Sequence, residues 1–95
     1  MDTTDLKLKF EFQLAKNVSE MKKIHSFKQL QRMLDEYGYF EGATKLIDGH
    51  GTSGLADLLM AGREDLSIEH LALSEEFQLL FNENQLKKCK QKLGF

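Results

Sequence analysis

Leu6-Lys7-Leu8-Lys9-Phe10-Glu11-Phe12-Gln13-Leu14 alternates without a break: Leu6, Leu8, Phe10, Phe12 and Leu14 take one set of positions, and Lys7, Lys9, Glu11 and Gln13 the other. Successive side chains of an extended chain point to opposite faces, so a period of two predicts a half-buried strand. A strand must pair its backbone groups with a neighbour. No second stretch alternates as well. Val18, Met21 and Ile24 recur at spacing three, which suits a helical turn or irregular chain, and residues 15–25 stay open between strand, helix and loop. The expected mate is therefore either a short strand hidden elsewhere or a second copy of the chain, which would give a homodimer through the strand Leu6–Leu14.

Downstream of this stretch the pattern changes to short helices. Residues 26–37 carry Phe27, Leu30, Met33, Leu34 and Tyr37 as one stripe, with Ser26 and Gln29 placed as a capping box and Gly38 as the stop. Residues 40–47 predict a short helix with Phe40, Ala43, Leu46 and Ile47 inward, and Gly49-His50-Gly51-Thr52-Ser53-Gly54 breaks it. Thr52 or Ser53 can cap a helix through Leu55, Leu58 and Leu59, which Gly62 closes. Ser67 can cap the next, with Ile68, Leu71 and Ala72 inward, and Ser74 another, with Phe77, Leu80 and Phe81 inward. A last helix from about Glu83 to Leu93 would bury Leu86, Cys89 and Leu93. The fold expected is mostly α, of the α+β class: an N-terminal amphipathic strand followed by a compact bundle of five or six short helices. With 95 residues, no proline and no repeat or linker, residues 1–95 read as one small domain.

Composition bounds the partners. An apolar share of 41% and a charged share of 29% fit a globular chain. The single Cys89 forms no internal disulfide, no apolar run spans a bilayer, and Met1-Asp2-Thr3-Thr4-Asp5 lacks the basic and apolar regions of a leader. A cytoplasmic location without membrane contact is expected. The net charge of −2 is unevenly spread. Residues 1–34 hold seven Lys/Arg against four Asp/Glu, residues 35–76 two against ten, and residues 77–95 four against one. An acidic middle repels phosphate and suits a basic protein partner.

The motifs that carry chemistry are thin. Gly49-x-Gly51-x-x-Gly54 has the letters of a dinucleotide loop but neither the preceding buried strand nor the chain length that fold needs. Whether the N–H groups near Thr52–Leu55 hold an anion stays open. His25, His50 and His70 lack metal spacing, so no metal or cofactor is expected. Cys89 is flanked by Lys88 and Lys90, yet its helical phase places it on the buried stripe with no partner base. Residues 55–72 have the spacing of a helix-turn-helix corner, but Glu64, Asp65 and Glu69 would face the phosphates there, with only Arg63 and His70 favourable. Lys87, Lys88, Lys90 and Lys92 form a basic helix face that also complements a helix C-terminus.

These features favour a non-enzymatic interaction protein of the inhibitor, immunity or antitoxin type. It would bind another protein through an acidic, partly aromatic surface made of Asp35, Glu36, Tyr37, Tyr39 and Glu41, with Glu64, Asp65 and Glu69 behind them. The alternative is a small DNA- or RNA-binding regulator using the 55–72 corner or the basic ends. Nucleic acid is the disfavoured partner of the two.

Overall fold

In the computed structural model, which describes residues 3–94, the alternating stretch is helical. Helix α1 spans Thr4–Met21 and buries Phe10, Leu14, Asn17, Val18 and Met21 at helical spacing. No strand occurs among the described residues, so the expected N-terminal strand and its hidden mate are corrected, and Leu6–Leu14 offers no strand edge through which the expected homodimer would pair. Winding at 100° per residue splits the alternating set. Phe10 and Leu14 enter the core, Leu6 is half-buried, and Leu8 and Phe12 are left 59% and 66% exposed. Two facts outweigh that lost burial. Leu, Lys, Glu, Gln and Ala are strong helix formers. A helix also satisfies its own backbone, whereas the strand had no mate. The Lys16 ammonium lies 4.9 Å over the Phe12 ring and covers part of it.

Five more helices follow: α2 (Lys28–Tyr37), α3 (Tyr39–Ile47), α4 (Leu55–Met60), α5 (Ile68–Leu73) and α6 (Glu83–Leu93), with single 3-10 turns at Glu64–Leu66 and Gln78–Leu80. The chain folds to a radius of gyration of 12.2 Å, close to the value of about 12 Å that compact packing gives a chain of this length. Phe10 is the hub of the core. Its ring meets Phe40 of α3, Phe77 and Phe81 edge-on at centroid distances of 5.8, 5.4 and 5.5 Å.

The helix ends depart from several expected caps. The N-cap of α2 is Phe27, not Ser26, and no side chain caps it. Phe27 is spent on packing: it is buried, and its ring sits where a Cβ on Gly54 would come within 2.3 Å of it. Gly54, at φ +80°, is in turn the N-cap of α4, where neither Thr52 nor Ser53 caps. The Thr52 hydroxyl accepts from the Gly54 N–H at 3.2 Å, and Ser53 turns inward. Ser74 donates to the Leu71 carbonyl at 2.6 Å instead of starting an α-helix; a 3-10 turn then brings Phe77 and Phe81 into the core. Ser67 does cap α5, accepting from the His70 N–H at 3.0 Å. Asn82 and Gln85 form a capping box at the start of α6, and Gly94 ends that helix in the left-handed conformation.

Candidate functional site

The corner between α2 and α3 is the most exposed acidic and aromatic part of the molecule that the sequence singled out. Gly38 makes the turn with φ 90° and ψ 163°, a backbone region essentially restricted to glycine. Gly42 then lets α3 lie tightly on α2: a Cβ there would be 2.9 Å from the Met33 carbonyl oxygen. From α1, the Glu11 carboxylate accepts the Phe40 N–H at 3.1 Å and so caps the start of α3 across the fold.

This framework brings Asp35, Glu36, Tyr37, Tyr39 and Glu41 to one corner. Asp35, Glu36, Tyr37 and Glu41 are exposed and Tyr39 is half-buried against the core. The Gln31 amide donates to Asp35 at 2.8 Å and fixes its carboxylate. The Lys45 ammonium lies 4.7 Å over the Tyr37 ring. Among the described residues no salt bridge neutralises Asp35, Glu36 or Glu41. A shallow groove lined by Lys28, Gln31, Arg32, Asp35 and Glu36 runs along the outer side of α2.

The other three expected residues are not part of this corner. The turn holding Glu64 and Asp65 packs mainly on α1, α4 and α5. Asp65 is already matched: the Arg63 guanidinium donates to it at 3.2 and 3.4 Å and holds its carboxyl below the usual carboxylate range. Glu64 is half-buried. Glu69 is a correction. It is fully buried, so it cannot present charge to a partner. Its Oε2 accepts from the Ser53 hydroxyl at 2.7 Å and lies 3.6 Å from the Lys92 ammonium. A helix of six residues carries too short a pattern for its phase to place Glu69 inward, and its partners come from distant segments, so no sequence signal marked it.

The remaining chemistry-bearing residues have structural surroundings. Cys89 is buried; burial first, then the nearby Glu69 carboxylate, pushes its thiol up to about 12. His25, His50 and His70 are all exposed, and His25 sits edge-on to Phe27 with its Nε2 3.9 Å from Asp57. Among the described residues no three His, Cys, Asp or Glu converge as metal ligands. Lys92 donates to the Leu46 and Ile47 carbonyls at 3.2 and 3.4 Å, so this lysine serves the C-terminus of α3 and not that of its own helix. Lys88 stands 4.0 Å from Asp48. In the 55–72 corner, α5 buries Ile68, Glu69, Leu71 and Ala72, which leaves little of it to enter a groove. No helix among the described residues is long and apolar enough to cross a membrane.

No family model matches the chain, and neither the curated proteins nor the solved structures searched contain a match to it.

Proposed function

We propose that the protein binds another protein through the α2–α3 corner, with Asp35, Glu36 and Glu41 supplying charge and Tyr37 and Tyr39 the contact area. The observation that carries this reading is the set of three carboxylates without ion-pair partners beside two tyrosines, held by a glycine turn and a cross-fold cap. Fixed charge speeds encounter with a basic partner. Tyrosine provides a rigid contact with an apolar face and a polar tip, and is enriched at interfaces for that reason. The partner class is a protein with a basic, partly apolar patch, and the action is that of an inhibitor or regulator that occludes it.

The test is retention of host proteins on the immobilised chain, wild type against Glu36→Lys/Glu41→Lys. The reading expects a protein that binds the wild type, weakens steeply between about 50 and 200 mM salt as screening grows, and is lost from the double variant. Equal retention by both chains refutes the corner as the binding surface. A retained species that is nuclease-sensitive favours the nucleic-acid alternative instead.

A further inference from the structure

Helix α1 carries an apolar stripe that the fold leaves uncovered. Leu8 and Phe12, about one turn apart, are 59% and 66% exposed. They lie on the side of the helix opposite Phe10 and Leu14, which fill the core. The lysines beside them lean toward the body of the molecule. On one flank the Lys7 ammonium lies 5.0 Å over the Phe40 ring, and on the other Lys9 is bridged to Glu76 at 2.6 Å. Asp5 and Lys16 edge the stripe on a single flank, eleven residues and about three turns apart. Both are exposed, and neither has an ion-pair partner among the described residues. They cannot pair with each other, because about 16 Å of helix separates them. The Lys16 ammonium, 4.9 Å over the Phe12 ring, already sits at the edge of the stripe.

We propose that this face binds a second copy of the chain, α1 against α1 and antiparallel, as a weak homodimer joined by side chains and by no backbone pairing. The spacing of the charges selects that occupant. A two-fold axis level with Phe10 sets Leu8 against the partner's Phe12, twice over. In the same register Asp5 falls one residue from the partner's Lys16, an offset of about 1.5 Å along the helix. An axis perpendicular to both helices keeps each flank on its own side. The flank holding Asp5 and Lys16 therefore meets its own counterpart, and two opposite-charge pairs close the ends of the apolar contact. In a parallel pair that flank meets the one carrying Thr4 and Glu11, and neither Asp5 nor Lys16 then has an opposite charge at its own level. Ala15, exposed at the level of the partner's Asp5, leaves the helices room to approach. One helix face from each copy is a small interface, below about 1,200 Å², the class of weak and transient complexes. Dissociation constants above about 1 µM are expected of it.

Sedimentation equilibrium of the full chain from about 10 µM to about 1 mM, a span that brackets weak association, should show a monomer–dimer equilibrium. Phe12→Glu puts two carboxylates into the contact from an exposed position, and should stay monomeric throughout while keeping the helical circular dichroism of the wild type. Asp5→Lys and Lys16→Glu should each weaken association by about tenfold, because two exposed attractive pairs become repulsive. An equimolar mixture of those two variants restores both opposite-charge pairs, and should recover the wild-type constant as a heterodimer. A wild-type chain that stays monomeric over the whole range overturns the proposal; if that monomer binds phosphatidylglycerol vesicles through Phe12, the occupant of the face is a lipid surface. Dimerisation that survives Phe12→Glu, or a mixture that associates no better than either charge variant alone, overturns it as well.

Discussion

Cys89 shows how its neighbours fix what one side chain can do. Flanking lysines in sequence suggest an activated thiol, yet burial and the Glu69 carboxylate raise its pKa from 9.0 to about 12. The neutral thiol is therefore the form the folded chain keeps. Its contribution to stability is complete below about pH 9, where the unfolded thiol is also protonated, and is lost as pH rises from there toward 12. Denaturant unfolding of the wild type and Cys89→Ala at several pH values should show their difference in stability shrinking over that window. A constant difference would mean that the thiol is not held neutral. Glu69 is the opposite case: the sequence places a charge among the candidates for partner contact, and tertiary structure encloses it.

Helix α1 and the α2–α3 pair carry sharper tests, because single positions in them distinguish one packing from another. A strand would put Phe10 and Phe12 on one face; the helix buries Phe10 completely and leaves Phe12 66% exposed. Phe10→Ala should cost about 3–5 kcal/mol, whereas Phe12→Ala should stay within about 0.5 kcal/mol. Similar costs at both positions, measured by chemical denaturation, would restore the strand. Gly42→Ala puts a Cβ 2.9 Å from the Met33 carbonyl oxygen and 3.2 Å from the Leu34 Cα, both backbone. Overpacking of this kind costs about 1–3 kcal/mol, read as a lower midpoint of thermal unfolding. An unchanged midpoint would show that α2 and α3 are not in close contact at Gly42.

The same elements show what the sequence made legible. The stripe from Leu30 to Leu34, the stop at Gly38, the Ser67 cap and the C-terminal helix ending at Gly94 were readable, because each is a local pattern with a local partner; Tyr37, on the same stripe, is exposed. The failures share a cause. Leu6–Leu14 has an unambiguous two-residue period, but a strand exists only with a mate, and the chain supplies none, so backbone self-sufficiency decides for helix. Ser26, Ser53 and Ser74 look like caps, but Phe27 and Gly54 fill each other's space, Ser53 is drawn to Glu69, and Ser74 donates back to Leu71. The Glu11 cap on α3 joins residues 29 positions apart, and Lys92 bonds carbonyls 45 and 46 positions away. No window of sequence contains such pairs. Of the residues expected to bind a partner, those within one short stretch, Asp35 to Glu41, share the α2–α3 corner; Glu64, Asp65 and Glu69, added for charge alone, do not join them.

For the molecule as a whole, the fold disperses the acidic charge that the sequence groups together. The acidic middle of the sequence does not spread into one sheet of charge: Asp65 is neutralised by Arg63, Glu76 is bridged to Lys9 at 2.6 Å, Asp48 faces Lys88 and Gln85, and Glu69 is interior. In the α2–α3 corner, Asp35, Glu36 and Glu41 have no ion-pair partner among the described residues, while the Lys45 ammonium covers the Tyr37 ring. A photo-reactive p-benzoylphenylalanine placed at Tyr37 and activated in the native host tests this account most directly, with the same group at Leu79, which is 84% exposed on the Gln78–Leu80 turn, as control. The account predicts a discrete protein adduct from position 37, absent from position 79 and lost when Glu36 and Glu41 are changed to Lys. No adduct from position 37, or the same adducts from both positions, would contradict it.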